Sequence, residues 1–443
     1  MDNLKINWLN IIFNAEFLSL IDFKSLKEIS MVSKLARKKL KPLLFKNIEF
    51  SQNQFNWSAN NIIIEYYKHG YGSKLGFMSK EASNESVNDF LDDTALALDN
   101  IKNYCQSFDF YNLHRPAVYL FSIANIFGNL TALWCSNCIV PFTGFAKLGE
   151  SLPNLTSIKL YSVSLLKLHT QSISSDQYII PKNLSKLYIC NCDIVNTDLI
   201  SDPYEYLFNA DRSQLITINF TLPKVSIPAL KKLVFYTYFD EESGLEEFLE
   251  LNPYLETLYI EFENIELFKK LKFLKSLIIE NVIGSTSTDQ TTTLGSIINL
   301  KINRVGERDF KFVKNLCLAL PNLRYLSFDL EDIFNFQHSI DKFISPILSN
   351  LPQLKNLKLN IGNNEDESLD ISKFSKIESL DLRTCSTKIL NINFENLINL
   401  KKFKFIYNTT NSINQETKNK LIEYSNWKFK FSYRTILGYK ILN

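Results

Sequence analysis

Cysteine is the residue type whose spacing first suggests chemistry in this chain. Cys135 and Cys138 form a CxxC, and Cys190 and Cys192 stand close enough to add two further sulfurs. Four converging thiolates would hold zinc, but no histidine follows at finger spacing. His69, His114, His169 and His338 join no nucleophile or metal constellation. Gly70, Gly72 and Gly76 with Lys74 have the composition of a phosphate loop, yet their spacing is GxGxxxG, which reads as a turn after Tyr67. No glycine is followed directly by lysine and no histidine by glutamate, which removes the Walker and zincin motifs, and a GxSxG elbow is missing too. A catalytic reading has no residues to name, and neither has a cofactor.

The elements that must position these cysteines form a recurring phrase. Leucine or a near equivalent stands at relative positions one, four and six, and cysteine, asparagine or another small or apolar residue at nine. Its clearest copies are Leu130, Leu133, Cys135, Cys138; Leu184, Leu187, Ile189, Cys192; Ile377, Leu380, Leu382, Cys385; and Leu400, Phe403, Phe405, Asn408. The phrase is a leucine-rich repeat. Degenerate frames open at Leu155, Leu215, Leu230, Leu255, Leu274, Ile297, Leu323 and Leu354, and a thirteenth fits Cys105, Phe108, Phe110 and Leu113. The mean step from Leu130 to Leu400 is about 25 residues, inside the range for such repeats. Register already explains four of the seven cysteines, since Cys138, Cys192 and Cys385 occupy position nine and Cys135 position six. An odd count in so long a chain also argues against a disulfide framework.

Alternate residues of a short strand face opposite ways, so positions four and six bury together while five and seven face outward. Between strands, Ile340, Phe343, Ile344, Ile347, Leu348 and Leu351 form a helical stripe ended by Pro352, and Phe310, Val313, Cys317 and Leu320 repeat that grammar before Pro321. Strand and helix in alternation predict an α/β horseshoe solenoid, whose stacked coils share a continuous core and need no internal boundary even in a chain of 443 residues. Only 12 glycines against 34 phenylalanines leave little room for glycine-rich loops. A net charge of +2 gives no global argument for a nucleic-acid partner.

The outward positions carry aromatics toward the amino-terminal half: Trp134, Tyr161, Tyr188, Tyr236 and Tyr259. Two readings stand side by side, contact area for a protein substrate on the concave sheet and lateral stacking between coils. Charge is uneven as well. Asp240 to Phe268 holds ten acidic and no basic residues, and Lys401 to Asn443 nine basic and two acidic, which reads as solvated faces or as docking surfaces. Ile283 to Gly295, rich in serine and threonine, reads as a loop between coils.

The first fifty residues follow another pattern, with Leu26, Ile29, Val32, Leu35 and Ala36 at helical spacing, then Pro42 after the helix and an extended segment through Leu44, Phe45, Ile48 and Phe50. The basic run Lys34, Arg37, Lys38, Lys39 and Lys41 reads as a solvated helix face or as a patch for an anionic partner or nuclear import. The start, MDNLKINWLNIIFNAEF, forms no secretory signal, so a cytoplasmic or nuclear location is expected. Pro116 to Ala146 lacks charge but is interrupted by Asn125, Asn129, Ser136, Asn137 and Pro141, and no membrane span is expected.

The segment FLSLIDFKSLKEISMVSKLARKKLKPLLFKNIEF resembles the second half of an F-box. Ile21 and Asp22 sit at the family's leucine-aspartate, Leu26 at its next leucine, Val32, Ser33 and Lys34 at its valine-serine-lysine, and Leu44 and Phe45 at its closing leucine-tryptophan. Upstream, Leu9 and Asn10 stand where the family has leucine-proline, so the proline is missing; Ile12 replaces its usual glutamate, and Phe13, Phe17 and Leu18 keep the apolar positions. The resemblance covers about residues 5–50. An F-box placed before leucine-rich repeats is similar to the substrate receptors of cullin-RING ubiquitin ligases of the SCF type. It implies an all-α F-box-like cap at 5–50, a joining segment at 51–104 and a solenoid at 105–443. It also implies an adaptor subunit, and through it a cullin, as partners, with Leu9, Phe17, Leu18, Ile21, Leu26 and Val32 as the adaptor contact. An alternative is a scaffold acting outside ubiquitin transfer, at a kinetochore or on chromatin; a third is a plain amino-terminal cap on the first repeat.

Overall fold

The computed structural model describes residues 12–51, 80–114, 120–168, 177–197, 216–237, 243–262, 265–282, 293–331, 336–361, 374–384, 394–407, 413 and 415–441. They fall into two compact units, one of residues 1–230 and 237–251, the other of 231–236 and 252–443.

The first unit opens with three helices, α1 (Ala15–Ser19), α2 (Phe23–Val32) and α3 (Lys34–Leu44). Each starts where a short polar side chain takes up amide groups that the first turn leaves unpaired. Asn14 accepts from the amides of Glu16 at 2.8 Å and Phe17 at 3.3 Å, Asp22 from Ser25 at 2.8 Å, and Ser33 from Ala36 at 3.0 Å. Pro42, expected to follow the helix, lies in the last turn of α3, where it offers no N–H to the Lys38 carbonyl, and the helix stops two residues later at Leu44. Packing α2 on α3 buries Leu26, Ala36 and Leu40.

Strand β1 (Asn47–Ser51) is already the first rung of the repeats. It pairs in parallel with β2 (Ser107–His114), Ile48 on Phe108 and Phe50 on Phe110, and the Phe50 ring meets Phe108 edge-on at 5.3 Å. The joining segment contains α4 (Lys80–Leu98), whose half-buried Leu91, Thr94, Ala95 and Leu98 keep helical spacing. Then come β3 (Ala132–Pro141), β4 (Ser157–Tyr161), β5 (Ser164–Leu168), β6 (Lys186–Cys190), β7 (Asp193–Thr197) and β8 (Ile216–Asn219). The register aligns Phe108, Leu133, Ile158 and Leu187 at position four, and Phe110, Cys135, Leu160 and Ile189 at position six, all buried. The frame at Cys105 is therefore a true coil.

After the turn the chain enters a second ladder, Ile139–Pro141 of β3 with β5 and then β7, closed by antiparallel β8. In the coils opened at Leu130, Leu155 and Leu184 these strands stand next after the turn, and in the first of them the short helices Phe142–Ala146 and Leu148–Ser151 follow. The apolar pairs Val140, Leu165 and Ile194, spaced like the inner strand, account for the strands.

The second unit holds β9 (Lys232–Tyr236), β10 (Thr257–Phe262), β11 (Ser276–Val282), β12 (Asn299–Val305), α5 (Phe310–Leu318), β13 (Tyr325–Leu330), β14 (Asn356–Ile361), β15 (Ser379–Thr384) and β16 (Lys402–Tyr407). Every neighbouring pair is parallel. The stripe from Ile340 to Leu351 forms the expected helical face, with one π-turn at Ile340–Ile344, and Phe343 stacks on Phe310 of α5 at 4.1 Å. An antiparallel hairpin ends the unit: β17 (Trp427–Phe431) pairs with β18 (Thr435–Lys440), which pairs with β16. Gly438 lies between Phe403 and Phe429, and a Cβ there would fall 2.6 Å from the Phe429 ring.

Candidate protein-binding face

Both units carry the fold of a leucine-rich-repeat protein, and its outward positions can be read coil by coil. In the first unit, position five runs Asp109, Trp134, Lys159, Tyr188, and position seven Tyr111, Ser136, Tyr161, Cys190. Lys159 Nζ lies 5.3 Å from the Trp134 ring centroid and 5.3 Å from that of Tyr188, a cation held between two aromatic rings. Asp109 sits one coil further along the same row. Its half-buried carboxyl is pushed up by burial, against which a hydrogen bond donated by Ser107 Oγ at 3.0 Å and the charge of Lys159 pull it down. Trp134 at 44%, Tyr161 at 43% and Tyr111 at 44% remain exposed. Tyr111 joins this face although the sequence reading did not select it; the signal was the degenerate frame at Cys105, which makes Tyr111 position seven.

Tyr236 and Tyr259 behave differently. Their rings meet at 5.7 Å in neighbouring coils of the second unit, the lateral contact that the sequence left as an alternative. The Tyr259 hydroxyl donates to Glu280, which also accepts from Asn303 Nδ2 at 2.6 Å and lies 3.6 Å from Arg304 Nη2. These two tyrosines belong to a network within the coils. Val234 and Ser327, outward by register, are buried: Val234 beside Tyr259, Ser327 between the long side chains of Lys301 and Lys358.

Register also explains the cysteines. The Cys138 thiol donates to the Ser136 carbonyl at 3.0 Å and the Cys192 thiol to the Cys190 carbonyl at 3.5 Å, so position nine bonds back to position seven of its own coil. Burial pushes Cys192 and Cys105 up to about 12, and Cys135 and Cys317 upward as well. Among the described residues no group of metal-binding side chains converges, and no helix is long and apolar enough to cross a membrane.

Of the residues that the F-box resemblance puts forward for an adaptor contact, Leu26 is buried, Leu18 and Ile21 are half-buried, and Phe17 and Val32 are exposed; Leu9, like Cys385 and Asn408, lies outside the described residues. Leu20 at 85%, Phe23 at 62% and Met31 at 68% are exposed beside Val32 at 81%.

No protein-family model matches this sequence, and no curated protein does. Among solved structures the chain is similar to TLR13 in a TLR13–ssRNA13 complex, at 15% identity over 71% of this chain and 44% of that one, with a TM-score of 0.39. It is also similar to an internalin of Listeria monocytogenes, at 18% identity over 64% of this chain and 76% of that one, TM-score 0.33. A third is a leucine-rich-repeat protein of Leptospira interrogans, at 18% over 67% and 75%, TM-score 0.27. The chain spans less than half the length of the first. The fold assignment rests on the strand register above.

Proposed function

We propose that this chain is a non-catalytic receptor. Its F-box-like helices dock on the adaptor subunit of an SCF-type ubiquitin ligase, and the outward face around Trp134 captures a protein substrate. One observation carries the adaptor half. A helical unit that buries Leu26, Ala36 and Leu40 leaves Leu20, Phe23, Met31 and Val32 exposed, more apolar side chain than a self-sufficient cap needs to show. Exposed Trp and Tyr on a rigid sheet supply the kind of anchor that dominates protein interfaces and support the substrate half. Such a receptor contributes position and no chemistry.

The test is copurification of adaptor and cullin with the full chain, wild type against Leu20→Asp with Val32→Asp, both exposed positions that leave the buried packing untouched. Loss of the adaptor with an unchanged thermal midpoint is expected. Undiminished copurification rejects the site, and absence of adaptor from the wild-type preparation rejects the ligase reading and leaves a scaffold outside ubiquitin transfer.

A further inference from the structure

The closing hairpin carries an alternation that repeat register does not require. In β17 the order is Trp427, Lys428, Phe429, Lys430, Phe431. The aromatics turn inward, Trp427 stacking on Phe429 at 5.8 Å and the Phe394 ring 5.1 Å from Trp427 and 5.6 Å from Phe429. Lys428 and Lys430 therefore take the other face, and both are exposed. Strand pairing extends that face: Tyr439 lies opposite both Lys428 and Lys402, and Leu437 opposite both Lys430 and Lys404. Four lysines thus stand at the corners of a patch roughly 10 by 7 Å, two strand spacings by one residue pair, around Tyr439, 46% exposed, and half-buried Leu437. Among the described residues only Lys404 has a carboxylate partner, Asp381 at 3.7 Å.

We infer that this sheet face docks an acidic protein segment, which lays an apolar side chain on Tyr439 and Leu437 and brings carboxylates to Lys402, Lys428 and Lys430. Charge complementarity selects the sign of the partner, and the aliphatic Leu437, which offers no ring for a base to stack on, favours the apolar side chain of a peptide at the centre; stacking of a base on Tyr439 is the outcome that the oligouridylate probe reads. This deepens the reading of the repeats as a protein-binding surface and rests on it, while being independent of adaptor docking.

Fluorescence anisotropy with the full chain tests it. The probes are a labelled peptide of glutamates around one phenylalanine and one leucine, the same peptide with lysine for glutamate, and labelled oligouridylate. Saturable binding of the acidic peptide is expected, weakened about tenfold or more by Lys428→Glu with Lys430→Glu and also by Tyr439→Ala, and falling with salt. The exposed lysine changes should leave the thermal midpoint in place, and the lysine peptide should bind the Lys428→Glu, Lys430→Glu chain instead. Trp134→Ala should bind the acidic peptide as the wild type does, so loss of substrate capture there is distinguishable from failure here. No saturable binding by the wild type, unchanged affinity in the lysine or Tyr439 variants, or tighter binding of oligouridylate would each overturn the inference.

Discussion

At the scale of single residues, position eight carries the left-handed backbone that turns the chain. Asn112, Asn137, Ser162, Asn191 and Arg304 all hold that position, and all have positive φ, between 51° and 54°. Asparagine tolerates this left-handed backbone better than most side chains, and Asn137 adds a 2.7 Å hydrogen bond from its Nδ2 to Asn112 Oδ1 in the coil before. Asn137→Ala should therefore destabilise by about 1–2 kcal/mol in denaturant unfolding, whereas Asn137→Gly, which relieves the backbone strain, should cost less. An equal cost for both would assign the effect to the hydrogen bond alone.

The aromatics separate at the same scale. Trp134→Ala should leave the midpoint nearly unchanged and lower capture of substrate, by about 2 kcal/mol if it is a hot spot. Tyr259→Ala should lower the midpoint instead, because it strips the Tyr236 ring and Glu280 of a partner. Thermal melts and recovery of proteins from extract, measured on the same preparations, read the two effects apart; the opposite pattern would sink the assignment.

At the scale of elements, successive coils are stitched together by whatever position two carries. In the first unit these are hydroxyls: Thr131, Thr156 and Ser185 donate to the carbonyls of Gln106, Thr131 and Thr156 at 3.2, 3.0 and 3.1 Å. The second unit uses alternating charge, with Glu256 between Lys231 and Lys275 and Glu378 between Lys355 and Lys401. Hydrogen bonds from Lys401 and Lys355 bring the Glu378 carboxyl down to about 2. A depressed carboxylate stabilises above its ordinary range and loses that contribution as pH falls through it toward the folded value. The midpoint gap between wild type and Glu378→Gln should accordingly be full near neutral pH and close toward pH 2, and salt should narrow it. A gap that widens on acidification would contradict the pairing.

At the scale of the whole molecule, a parallel ladder needs its last rung covered. Strand β18 performs this by antiparallel pairing with β16, and the inward rings of Trp427 and Phe429 cover Phe394. Removing residues 426–443 would leave β16 as a bare edge over Phe403 and Phe405, a template for intermolecular pairing. Light scattering should show association of the truncated chain at concentrations where the full chain is monodisperse. Full solubility of the truncated form would mean that the hairpin is dispensable as a cover. In the first unit, β1 pairs with β2 as a rung of the repeats, so a boundary at residue 50 cuts through a paired strand.

The sequence by itself determined the repeat register, because burying two of every four strand residues forces leucine, phenylalanine or a small thiol into fixed positions; Cys135, Cys138 and Cys192 lie where that spacing puts them. It also determined the helical stripe from Ile340 to Leu351, whose period of 3.6 is carried by the apolar residues themselves. Tertiary structure alone decided which outward residues remain open to a partner. Trp134 and Tyr259 occupy the same register position, yet one meets a lysine and solvent while the other is bound to Glu280, a difference set by the residues on adjacent coils. It also decided that lysines from two strands share one face across a third, since β16, β17 and β18 meet by a reversal of direction that no repeat period encodes.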